Sequence, residues 1–186
     1  MAKTQIGRKG FGQVEPNHLS GIVDGKIYAQ LPVDKETMGE IIENGRFAKY
    51  DMATGKVNLT GKSQWCMIYN EIKLYDERLQ GLKDFALIGG DSLSGEITPR
   101  LIAIEVGDIF TTNTFGANED GKDSPLSAKD FDVEGIALEQ GDLVYIGADG
   151  YLTLTESTED NAPKFQVVKV YTMPDGQPGV KLQRIA

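Results

Sequence analysis

The sequence predicts a mainly β protein: an antiparallel β-barrel or sandwich, formed either as one body or as two similar β lobes, with one short helix and an extended N-terminal arm. Three observations carry that expectation. The 22 glycines among 186 residues fall mostly in short clusters with Asp or Asn, which is turn chemistry and not helix chemistry. Short apolar or alternating runs, separated by turn signals at close intervals, recur along the chain. One phrase is also repeated: 139-EQGDLVYIGADGYLTLT-155 matches much of 43-ENGRFAKYDMATGKVNLT-60, and its opening reappears in 105-EVGDIF-110.

Residues 1–20 combine glycines, a proline and little apolar periodicity with a basic cluster, Lys3, Arg8 and Lys9, and no acid precedes Glu15. They read as an arm ahead of a β-rich body at 21–186. In 22-IVDGKIYAQL-31 an Asp-Gly between two apolar runs predicts a hairpin, because glycine accepts the positive φ of the turn. In 34-DKETMGEIIENG-45, Met38, Ile41 and Ile42 stand at helical spacing between Asp34 as N-cap and Asn44-Gly45 as stop, which predicts the one short helix. The run 64-QWCMIYNEIKLYDER-78 puts Trp65, Met67 and Tyr69 on one parity and Cys66, Ile68, Ile72 and Leu74 on the other. Both faces are apolar at its start, as in a strand buried on both sides or bridging two layers. Further strands are expected at 84-DFALI-88, 99-PRLIAIEV-106, 108-DIFTTNTF-115, 164-KFQVVKVYTM-173 and 179-GVKLQRI-185, the last two joined by a Pro-Asp-Gly-Gln-Pro turn. Residues 116–130 read as a polar surface loop between sub-lobes at 21–115 and 131–186.

Aligning the two long copies of the phrase brings Gly45 onto Gly141, Phe47 onto Leu143 and, after a one-residue gap in the turn, Gly55 onto Gly150. Each copy reads as a glycine turn, a strand, a second tight turn and a returning strand whose alternate residues face a core. No P-loop lysine or Rossmann acid follows these glycines, so they serve backbone geometry and not a phosphate cradle. Ancient duplication and simple recurrence of a good hairpin both account for the repeat.

Composition narrows the function classes. A formal net charge of −9 and a pI near 4.7 argue against a general nucleic-acid binder, which needs clustered Lys and Arg. No run approaches the roughly 18 apolar residues of a membrane span, and no apolar signal core opens the chain, so the expectation is cytoplasmic synthesis with no membrane partner. Cys66 is the only cysteine and reads as a small buried hydrophobe. His18 is the only histidine, so triads and zinc sites built on imidazole have a single candidate, which reads as a turn or surface residue. No catalytic, cofactor or metal residue is therefore expected. Two alternatives stay open: a glycosidase-like carboxylate pair drawn from distant positions, and a calcium loop within 119-EDGKDSPLSAKDFDVE-134. The aromatics Phe11, Tyr28, Phe47, Tyr50, Trp65, Tyr69 and Tyr75 either fill a core or form a sugar-binding platform.

Several stretches resemble structural proteins of tailed bacteriophages, in particular head decoration or minor capsid proteins: KTQIGRKGFGQVEPNHLS, ENGRFAKYD with TGKVNL, NEIKLYDER, TPRLIAIEVGDIFTTNTF, and GDLVYIGADGYLTL followed by KFQVVKVYTMPDGQPGVKLQRI. Together they cover most of the chain. The resemblance implies a non-enzymatic virion protein, assembled in the host cytoplasm, that binds and stabilises the outer surface of a capsid. The major capsid protein is the implied partner, and a homo-oligomer, with a trimer favoured, is the implied form. The expected capsid contacts are Lys3, Arg8, Lys9 and Phe11 in the arm. The alternative is a carbohydrate-binding β module that holds a host glycan.

Overall fold

The computed structural model describes residues 3–6, 10–70, 86–88, 96–116, 136–159, 161–174 and 176–186. Its elements, in chain order, are β1 (Thr4–Ile6), β2 (Val14–His18), α1 (Ser20–Val23), β3 (Ile27–Ala29), α2 (Lys35–Met38), β4 (Ile41–Glu43), β5 (Phe47–Asp51) and β6 (Lys56–Asn58). They continue with β7 (Cys66–Ile68), β8 (Ala86–Ile88), β9 (Leu101–Ala103), β10 (Ile109–Thr112), β11 (Ile136–Leu138), β12 (Leu143–Ile146), β13 (Leu152–Thr153), β14 (Phe165–Thr172) and β15 (Pro178–Arg184). The protein is mainly β, and every strand pairing within its sheets is antiparallel.

One sheet has six strands in the order β13-β12-β14-β15-β10-β2, the other five in the order β3-β9-β7-β5-β6, and two ribbons pair β1 with β11 and β4 with β8. Both large sheets are open among the described residues, and they pack as a sandwich, not a closed barrel. Three phenylalanines hold them face to face. Phe47 of β5 lies 6.4 Å from Phe110 of β10 and 5.5 Å from Phe165 of β14, and the last two meet edge to face at 5.5 Å. A second core covers the far side of the five-stranded sheet with Met38, Ile42, Cys66, Ile68 and Leu101.

The two-faced run at 64–69 is built as its alternation requires. Trp65, Met67 and Tyr69 join the inter-sheet core, while Cys66 and Ile68 join the second one. Ile72, Leu74 and the rest of 71–85 lie outside the described residues, as do 117–130 of the expected polar loop. The six-stranded sheet takes β2 and β10 from before that loop and β12 to β15 from after it, so both stretches expected as sub-lobes share one core.

Three expectations are corrected. The described residues of 1–20 do not form a free arm: β1 pairs with β11, β2 is the margin strand of the six-stranded sheet, and Ile6, Val14 and Leu19 are buried in the main core. The helix expected across 34–45 is a single turn. Asp34 caps it, its side chain accepting from the Glu36 N–H at 3.4 Å, but Gly39, at φ 78°, ends it, and Ile41 and Ile42 belong to β4. The hairpin expected at 22–31 is instead α1, a turn at Gly25 (φ 65°) and β3, which pairs with β9.

The repeated phrase has a single structural meaning. Both long copies are hairpins, β5 with β6 and β12 with β13. Ahead of β5, β10 and β12, the third residue of each Glu-x-Gly opening takes a left-handed φ: Gly45 at 84°, Gly107 at 99° and Gly141 at 94°. Each of these glycine N–H groups donates to a carbonyl of the neighbouring strand (Ile68, Arg184 and Val167), and that same residue's N–H donates to the carbonyl just after the glycine (Arg46, Asp108 and Asp142). This is the hydrogen-bond pattern of a glycine β-bulge, in which two residues face one. In the two Glu-x-Gly-Asp copies the aspartate also closes the turn on itself. Asp108 Oδ2 accepts the Glu105 N–H at 2.8 Å, and Asp142 Oδ2 accepts the Glu139 N–H at 3.0 Å.

Candidate functional site

Several buried polar side chains tie the N-terminal segment to the body. Glu43, 1 % exposed, accepts the Gly12 N–H at 3.1 Å on one oxygen and the Tyr151 hydroxyl at 2.8 Å on the other. Asp108, also 1 % exposed, accepts the Ser20 N–H at 3.0 Å and its hydroxyl at 2.5 Å, so it holds the start of α1, where the N-cap residue Leu19 offers no side-chain acceptor. Thr112 donates to the Gln13 carbonyl, Asn113 accepts from the Gln13 N–H, and the Tyr171 hydroxyl meets Glu15 and Thr111 at 2.9 Å each. Burial, with Glu15 alongside, raises the Tyr171 phenol above its ordinary value. An unpartnered polar atom at such depth costs about 1–3 kcal/mol, so each stitch is stabilising mainly by being satisfied.

Of the residues expected to make capsid contacts, Lys3 reaches Asp142 at 3.0 Å, and Phe11 is half-buried ahead of β2. Arg8 and Lys9 lie outside the described residues. Partial burial works against the Asp142 charge, but the Glu139 N–H and the Lys3 ammonium outweigh it and hold the carboxyl below its ordinary value. The structure therefore places Lys3 on the body, paired with Asp142.

A cleft of about 750 Å³ is flanked by the two copies of the repeated hairpin. Lys49 of β5 with Leu59 and Thr60 after β6 line one side; Ile146 of β12, Leu152 of β13 and the 155–159 strap line the other. The hairpins meet at its end, where the Phe47 N–H donates to the Gly150 carbonyl at 2.7 Å and Arg46 Nε donates to the Asp149 carbonyl at 2.9 Å. Gly150 is required there: its φ is 82°, and a Cβ would collide with the Phe47 carbonyl.

A clasp closes the cleft's edge. Glu159 accepts from the nearly buried Lys49 ammonium and from Trp65 Nε1 at 2.6 Å, while Lys49 Nζ sits 4.6 Å over the Trp65 ring. Burial pushes the Glu159 carboxyl up, but the bonds from Lys49 and Trp65 outweigh it and leave it below its ordinary 4.5. A depressed folded pKa means the clasp contributes fully above the unfolded value and is lost as pH falls through the folded one. Trp65 is the only tryptophan, so its emission should stay level down to pH 4.5 and change only below it, and Glu159→Gln should abolish that acid step. A step centred at or above 4.5 would sink the clasp.

The remaining candidates are placed as follows. His18 ends β2, exposed, opposite Ile109. Cys66 is buried, and burial pushes its thiol up to about 12, so a thiol reagent at pH 8 should leave native protein unlabelled and label it on denaturation. Fast labelling of native protein would overturn that burial. Phe47, Trp65 and Tyr69 pack in the main core and Tyr50 against the second, so these four form no exposed platform. The side chain of Tyr28, Tyr75 and the acidic stretch 119–134 lie outside the described residues. Among the described residues no group of three or more His, Cys, Asp or Glu is placed to hold a metal ion, and no helix is long and apolar enough to cross a membrane. Sequence reasoning missed Glu43, Lys49, Asp149 and Glu159, whose partners are far away in the chain. Comparison with protein-family models, with curated proteins and with solved structures returned no match.

Proposed function

We propose that this chain is a non-enzymatic structural protein of a tailed-bacteriophage virion, docked on the outer surface of the capsid as a homo-oligomer, with a trimer favoured. The observation that carries the reading is how the buried charges are used. Glu43 and Asp108 are filled by backbone N–H and hydroxyl donors from remote segments, and Arg46 by the carbonyls of Met38 and Asp149. They work as stitches for a stiff body, not as a pair of carboxylates poised for acid–base work. The wording of the sequence, which resembles head decoration proteins over most of its length, supports the same reading.

Docking then uses a fixed surface and not a free arm. Deleting residues 1–20 would strip Ile6, Val14 and Leu19 from the core, so truncation would unsettle the body as well as any contact. The clean variant is Lys3→Glu, a single charge reversal at a side chain that is 45 % exposed. Purified protein should co-sediment with phage heads lacking it and run as a trimer in sedimentation equilibrium, and Lys3→Glu should weaken the co-sedimentation. Heads that stay bare at saturating protein would remove the capsid reading, and a monomer at all concentrations would remove the trimer. A Lys3→Glu protein that binds as tightly as the parent would clear Lys3 from the contact. The alternative glycan-binding module, conceived as an aromatic platform, finds no support in the four aromatics that pack into the cores.

A further inference from the structure

We propose that the cleft between the two repeated hairpins binds an uncharged saccharide unit, a site independent of capsid docking and unrelated to an exposed aromatic platform. All but one of the charges lining the cleft are already matched. Lys49 holds Glu159, and Glu156 is bonded to Lys164 at 2.9 Å, so an incoming ion would have to break a pair or sit unscreened beside one. The remaining carboxylate is Asp149. Its Oδ1 accepts the Tyr151 N–H at 3.0 Å, which leaves Oδ2 as an acceptor lining the cleft.

Two glycines that also line the cleft, Gly116 and Gly147, flank that carboxylate; a Cβ at Gly147 would stand 2.9 Å from Oδ1 and one at Gly116 3.5 Å from Oδ2. The space around Asp149 thus depends on glycine at 147, while a Cβ at 116 would make only ordinary contact. The hydroxyls of Thr153 and Ser157 accept from the N–H groups of Thr155 and Glu159, at 3.2 Å each, and each keeps its O–H to donate. The cleft thereby offers an acceptor-only carboxylate, hydroxyl donors, and an apolar floor whose accessible side chain is the half-buried Leu59, backed by the buried Ile146 and Leu152. Adjacent sugar hydroxyls need both donors and acceptors, and a pyranose also presents a C–H face to an apolar floor. The 156–159 strap is a wall shared with a second hollow of about 450 Å³ lined by Tyr145 and Lys164, so an oligomer that crosses the strap meets a second concavity.

Trp65 lines the cleft and is the chain's only tryptophan, so it reports occupancy directly. The test titrates the full chain with glucose, galactose, N-acetylglucosamine and their short oligomers, with glucuronate and lysine amide as charged counterparts. The expected result is a saturable change in Trp65 emission with at least one neutral sugar, tighter for its oligomer. Asp149→Asn keeps an oxygen for the Tyr151 N–H but replaces the free acceptor by a donor, and should weaken binding by about tenfold or more. Ser157→Ala, which removes one of the two hydroxyl donors, is the second variant and decides the matter if Asp149→Asn fails to fold. Silence of every neutral sugar at about 100 mM, a concentration that detects even millimolar affinity, overturns the proposal. So does saturation by the charged probes alone, or affinity unchanged in both variants.

Discussion

Phe47→Ala is expected to lower stability by about 3–5 kcal/mol, the range for emptying a fully buried phenylalanine site. For a chain of this size that corresponds to a fall in Tm of about 6–20 °C. The size of the effect follows from position. Phe47 is fully buried, belongs to the five-stranded sheet, and packs its ring against both Phe110 and Phe165 of the six-stranded one. Its backbone is also held, since its N–H donates to Gly150 in the opposite hairpin. The surrounding rings are therefore badly placed to collapse into the void, which is the condition for a cost at the upper end. Met52→Ala, at a side chain 69 % exposed in the β5–β6 turn, is the control and should stay within about 0.5 kcal/mol. Urea melts of the three proteins measure this. A Phe47→Ala loss under about 1 kcal/mol would mean that the sheets are not held together through this trio.

Which parts of this architecture were legible in the sequence depended on the range of the interactions that make them. Strand alternation is local, so the two parities of 65–69 predicted two cores correctly. Turn glycines are local too, and Gly45, Gly55, Gly141 and Gly150, which align in the repeat, all take positive φ. The helix at 34–45 failed because Met38, Ile41 and Ile42 satisfy helical spacing and also a strand that starts after a break; Gly39 decides between them. The N-terminal segment failed for a different reason. In Val14-Glu15-Pro16-Asn17-His18 only Val14 is buried, so β2 looks polar, and what fastens it is Thr111, Thr112, Asn113 and Tyr171, all remote in sequence. The cleft was invisible for the same reason: Glu159 is 110 residues from Lys49 and 94 from Trp65. No local pattern encodes such a pairing.

The second large effect separates the three Glu-x-Gly turns, which share a backbone but not an environment. Gly107→Ala and Gly141→Ala should each cost about 1–2 kcal/mol, because a Cβ in the left-handed region is strained while nothing lies within 4 Å of where it would go. Gly45→Ala carries the same strain and a collision. Its Cβ would stand 2.6 Å from Thr114 Oγ1, 2.8 Å from Thr112 Oγ1 and 2.9 Å from Val14 Cγ2. Neither threonine can turn aside freely, since Thr112 donates to the Gln13 carbonyl at 2.6 Å and Thr114 to the Asn44 carbonyl at 2.8 Å. Overpacking of that kind adds about 1–3 kcal/mol, so Gly45→Ala is expected to lose about 2–5 kcal/mol in all. Part of the loss should appear as loosening of β2, because Val14 and the Gln13 carbonyl are what the new methyl displaces. Amide exchange at Gln13 and Val14 should then quicken more than exchange in β5 itself. Equal costs at all three glycines would show that backbone conformation alone sets the penalty and that the N-terminal strand is not held against the Gly45 turn.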